Sequence, residues 1–146
     1  MQGVGILFAS PHCLLDGSSG AAISLLTLLR HLATRGARVT SLSATIFDAD
    51  AGRTAAPGPP ANHPALRFFE VRRDGIRHLL LPTRHPARSM MNALEAEHFE
   101  AQFHAVLQRA PPDVMITYGG LVLERRLLHE ARRRGVRTVF YLANPS

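Results

Sequence analysis

The chain opens on a short, unbroken apolar run from Val4 to Ala9 that closes on Ser10-Pro11. Such a run, ended by turn formers, predicts a strand buried on both faces, as in the middle of a parallel sheet. After His12 to Asp16 the spacing becomes helical. Ile23, Leu25, Leu26, Leu28, Leu29 and Leu32 share one broad face over residues 18–35, and Gly36 supplies the stop. Over residues 38–45 the apolar Val39 and Leu42, followed by Ile46, are interspersed with small polar residues, which predicts a second strand and completes a strand–helix–strand unit.

Residues 48–63 (DADAGRTAAPGPPANH) combine Ala, Gly and Pro in a way that resists both helix and sheet, and read as an exposed loop inserted in the domain. Two short strands are predicted next, at 66–72 and 76–81. Asp74-Gly75 between them is a strong hairpin signal, so this pair is expected to run antiparallel at an edge. A helix is expected over 89–109, with Met91, Leu94, Phe99, Phe103, Val106 and Leu107 forming its apolar face and Pro111-Pro112 ending it. Residues 113–118 (DVMITY) read as a buried strand, Gly119-Gly120 as a turn, 121–134 as a helix stopped by Gly135, and 137–142 (RTVFYL) as a last strand.

Strands alternating with helices predict an α/β fold: a doubly wound, mostly parallel sheet with helices on both faces. The chain stops at Asn144-Pro145-Ser146, just past a strand. A covering helix is expected there, so the sequence reads as one domain truncated at its C-terminus.

Composition narrows the chemistry. The formal charge is +6, and all 17 basic residues are arginine. They are scattered, with Arg132, Arg133 and Arg134 the one run of three, so no stripe for tracking a nucleic-acid backbone is expected. A phosphorylated ligand or an anionic membrane surface fits the charge equally well. Without lysine there is no Schiff base, no Walker-A lysine and no kinase strand lysine. The single cysteine, Cys13, excludes an internal disulfide and reads as a small buried residue. The N-terminal residues lack the pattern of a secretory signal, so a cytoplasmic location is expected. No cofactor or metal is expected, since His12 and Cys13 have no second ligand pair at suitable spacing.

Ligands of open α/β sheets bind beyond the carboxyl ends of the strands. After the first strand these positions hold Ser10, His12, Asp16, Gly17, Ser18, Ser19 and Gly20; after DVMITY they hold Gly119 and Gly120; after the last strand, Asn144. Gly17-Ser18-Ser19-Gly20 opens a helix whose first amides attract phosphate or carboxylate, with Ser18 or Ser19 adding hydroxyl donors. The plainer alternative is that Asp16 or Ser18 caps that helix and the glycines shape a turn. Gly3 and Gly5 precede the strand instead of following it, so the dinucleotide fingerprint is missing. Tyr118-Gly119-Gly120 repeats the pattern at a later helix start, where glycine permits close approach to the backbone.

Residues 8–48, FASPHCLLDGSSGAAISLLTLLRHLATRGARVTSLSATIFD, resemble the start of a subset of group 1 (family 4) glycosyltransferases. PDVMITYGGLVLERRLLHEARRRGVRTVFYLANPS resembles the later part of the same N-terminal domain. The resemblance implies the acceptor-side, Rossmann-like half of a GT-B enzyme, covering residues 1–146, with the donor-binding C-terminal domain absent. It implies retaining, metal-independent transfer from a nucleotide-sugar to an acceptor, and a fragment inactive alone. It further implies that Gly17, Ser18, Ser19 and Gly20 meet the donor diphosphate, while Tyr118, Gly119 and Gly120 line the cleft; Asn144, at a strand end of the same edge, is expected there too, and Ser10 and His12 are further candidates. Related sequences often carry His-Asn after the last strand. Here the pair is Ala143-Asn144, so no catalytic residue is assigned. Expected partners are the nucleotide-sugar, the acceptor, the missing domain, the inner face of a membrane and a second copy of the fragment. The competing readings are another nucleotide-binding α/β domain and a flavodoxin-like interaction module.

Overall fold

The computed structural model describes residues 2–46, 57–84, 91–119 and 122–141. In chain order the elements are β1 (Gly5–Ala9), α1 (Gly20–Thr34), β2 (Arg38–Ala44), β3 (Phe69–Arg73), β4 (Ile76–Leu81), α2 (Ala93–Arg109), β5 (Val114–Tyr118), α3 (Val122–Arg133) and β6 (Arg137–Tyr141). The six strands form one sheet in the order β3-β4-β2-β1-β5-β6. Every neighbouring pair is parallel except the β3–β4 hairpin. The protein is therefore α/β with a mostly parallel sheet.

Alternating residues of β1, β2, β4 and β5 enter different packing clusters, because successive side chains point to opposite faces. Ile6 and Phe8 of β1 join Val39, Ile76 and Ile116 under Leu25 and Leu29 of α1. Leu7 and Ala9 join Leu42, Leu79, Leu81 and Met115 with Phe99, Phe103 and Leu107 of α2 and Leu127, Leu128 and Ala131 of α3. The central strand is buried at every position, which explains the unbroken apolar run that marks it in the sequence.

Several boundaries move for local reasons. The expected hairpin forms, but β3 starts at Phe69 and continues through Arg73, leaving Asp74-Gly75 as a two-residue loop with φ of 52° and 78°. Two successive positive φ values are what a tight turn matched to strand twist needs. Helix α1 starts at Gly20 and not at residue 18, because the Ser19 hydroxyl takes the Ala22 amide at 3.2 Å. Helix α2 starts at Ala93 and not at residue 89. There the Asn92 side chain accepts from the Glu95 amide at 2.8 Å, and the Glu95 carboxylate accepts from the Asn92 amide at 2.9 Å. This reciprocal capping fixes the helix start against the helical preference of the residue before it. Of the inserted loop, residues 57–63 carry no helix or strand, and 47–56 lie outside the described residues.

Candidate functional site

Strand order sets where the crevice falls. From the central β1, the chain passes by way of α1 to β2 on one side, whereas β5 lies on its other side and leads by way of α3 to β6. The β1 and β5 carboxyl ends thus flank the point where the chain departs in opposite directions, where open α/β sheets leave an opening for a ligand.

Ser10 closes the floor of that opening. Its hydroxyl donates to the Tyr118 carbonyl at 2.9 Å and accepts from the His12 amide at 3.2 Å, while its own amide donates to the Leu42 carbonyl at 3.0 Å. One step lower, the Thr117 hydroxyl donates to the Ala9 carbonyl at 2.6 Å. Both hydroxyls are fully buried, so they serve to tie β1 to β5. His12, half-buried, pairs with Ile46 beyond the end of β2 and sets its ring 5.1 Å from that of Tyr118. Tyr118 is 8% exposed and its ring belongs to the α1-side core.

Gly119 has a φ of 112°, and a Cβ there would stand 3.2 Å from His12 Cδ2 and 3.3 Å from Glu124 Cδ. His12, Tyr118, Gly119 and Glu124 therefore form one compact group at the crevice. Glu124 stands in no motif of the sequence, yet its carboxylate is fully buried in the first turn of α3. The signal that could have found it is its spacing: Glu124 shares a helix face with the buried Leu127, Leu128 and Ala131. An acid on an apolar stripe is the informative exception.

The loop leading to α1 is organised by Asp16, which is 2% exposed and accepts from both the amide and the hydroxyl of Ser18. Asp16 thus shapes the turn and Ser19 is the cap, so the expected capping by Asp16 or Ser18 is replaced by a division of labour. The amides of Gly20 and Ala21, ahead of the capped Ala22, have no acceptor within the helix, as the geometry of a first turn requires. Gly17, Ser18 and Gly20 are exposed. An oxyanion reaching this end would meet amide donors and the positive end of the α1 dipole. Gly120 and Asn144 lie outside the described residues.

Burial pushes the neighbouring Cys13 thiol up to about 12, with Asp16 adding to the rise and a hydrogen bond from the Leu15 backbone opposing it. Cys13 is buried core, as its sequence context suggested. Among the described residues no three His, Cys, Asp or Glu side chains are grouped to hold a metal ion, and no helix is long and apolar enough to cross a membrane. No family model, curated protein or solved structure matches the chain.

Proposed function

We propose that residues 1–146 form the N-terminal, acceptor-side domain of a retaining GT-B glycosyltransferase, a doubly wound Rossmann-like unit whose crevice at β1 and β5 faces a nucleotide-sugar. The observation that carries the reading is a convergence. The two segments resembling group 1 glycosyltransferases are far apart in sequence, and the loops in each that the resemblance makes functional follow two adjacent strands, bonded through Ser10 and Tyr118. Core packing on both strand parities supports the doubly wound arrangement.

In the proposed reaction the bond between the sugar and the nucleotide diphosphate breaks and the diphosphate departs with the electron pair. A bond forms to an acceptor hydroxyl, which gives up its proton. The Gly20 and Ala21 amides contribute donors to the diphosphate as its charge grows. Gly119 keeps the opposite wall low enough for a ligand to pass. A donor-binding domain beyond this chain supplies the remaining contacts, and the assembly works in the cytoplasm at the inner face of the membrane. Val139 and Phe140, 48% and 39% exposed on β6, are apolar surface that such a domain or a second copy of this chain would cover.

Calorimetric titration of UDP-, GDP- and ADP-sugars into residues 1–146 and into the longer protein carrying them tests the proposal. Binding and slow hydrolysis by the longer protein, with neither in 1–146, is the expected result. Binding of NAD, or of a protein partner with no nucleotide-sugar bound by either form, would overturn it.

A further inference from the structure

A second cleft lies at the other end of the sheet, beside the amino ends of β1, β2 and β4. It encloses about 240 Å³. Gly5, Leu7, Thr40 and Leu79 form its sheet side, and the C-terminal half of α2, followed by Pro111-Pro112, forms the opposite wall. Leu7 is 1% exposed, so the cleft reaches down to the core.

Three arginines, Arg38, Arg77 and Arg109, line this cleft, and Arg72 stands directly across the β3–β4 ladder from Arg77. Like charges placed opposite one another in a sheet are unfavourable. Here Glu70 bonds both Arg72 and Arg77, and its carboxylate is held below the usual range chiefly by the Arg77 and Arg72 hydrogen bonds. One carboxylate thus serves two arginines. Arg38 donates to the Gly3 carbonyl at 3.1 Å, and neither Arg38 nor Arg109 has a carboxylate within ion-pair distance among the described residues. Asp113, the other acid close by, accepts from the Gly5 amide at 2.7 Å. The result is an excess of positive charge around an apolar-floored hollow. Prolines 111 and 112 contribute no amide donors to the wall, which leaves arginine forks, the Thr40 hydroxyl and the Gln102 amide to make directional contacts.

We infer that this cleft binds a small phosphorylated molecule, with the phosphate held by Arg38, Arg77 and Arg109 and the body against Leu7 and Leu79. Several arginine forks around one cleft suit a multiply charged oxyanion better than a single carboxylate, because each fork can donate two parallel hydrogen bonds. The site is separate from the crevice at β1 and β5 and does not depend on the function proposed for it.

Inorganic pyrophosphate, titrated into ¹⁵N-labelled protein at fixed ionic strength, is the test. Saturable shifts at the amides of Gly5, Thr40, Leu79 and Ala110 are expected. Binding should weaken about tenfold or more in Arg38→Gln and in Arg109→Gln, the loss expected for a charge-assisted hydrogen bond. Arg125→Gln, an exposed charge on α3, should change it less than about twofold. Shifts confined to Gly20 and Ala21 would place the anion at the other crevice and overturn the inference. Equal weakening by all three variants would reduce it to diffuse attraction by a basic protein and overturn it as well.

Discussion

Gly119 shows how much one backbone angle can decide. At a φ of 112° a side chain is strained, and the space a Cβ would occupy is already bounded by His12 and Glu124. Gly119→Ala is expected to lower unfolding stability by about 1–3 kcal/mol, read from urea denaturation, and to displace the His12 ring. A loss under about 0.5 kcal/mol would mean the loop relaxes freely. His78 is the second residue whose surroundings set its behaviour. It is 1% exposed, with Nδ1 2.8 Å from the Ser41 hydroxyl, and burial, reinforced by Arg73 and Arg30 against an opposing Asp74, pushes its pKa down to about 4 from 6.5. Between those values the unfolded chain binds more protons than the folded one, so stability falls as pH drops from 6.5 towards 4, by up to about 3 kcal/mol. His78→Gln should flatten that slope; an unchanged slope would assign the acid sensitivity elsewhere. Native Cys13 should resist iodoacetamide at pH 8 and react once denatured, since burial disfavours the thiolate.

At the scale of elements, helix starts separate what patterning reveals from what side-chain geometry decides. The apolar periodicity of α1 and α2 placed both helices, but each begins where a side chain captures an amide: Ser19 for α1 and Asn92 for α2. Ser19→Ala should cost about 1 kcal/mol, whereas Ser18→Ala, which removes a part-buried bond to Asp16 but leaves the Ser18 amide bonded to the same carboxylate, should cost clearly less. The reverse order in thermal denaturation would return the cap to Ser18. Glu95 extends the capping of α2 by accepting from the Arg84 amide at 2.9 Å, which ties the segment after β4 to the helix start. That link joins residues whose pairing no periodicity announces.

Across the whole molecule, α2 is held on the sheet by Phe99 and Phe103, both fully buried between it and the strands. Phe103→Ala should cost about 3–5 kcal/mol, a large part of the 5–15 kcal/mol typical of a domain, and the loss should appear as a lower urea midpoint. The sequence by itself determined the element types, the hairpin at Asp74-Gly75, the buried strands and the gathering of small polar residues at strand ends. These follow from local periodicity and turn chemistry, which neighbouring residues express without help. Strand order was decided only in three dimensions, because several orders satisfy the same alternation. With it came the contact of Ser10 with Tyr118, the placing of Glu124 beside Gly119, and the meeting of Arg38, Arg77 and Arg109 around one cleft. Each joins side chains from separate elements, and packing of those elements against a common sheet is what brings them together.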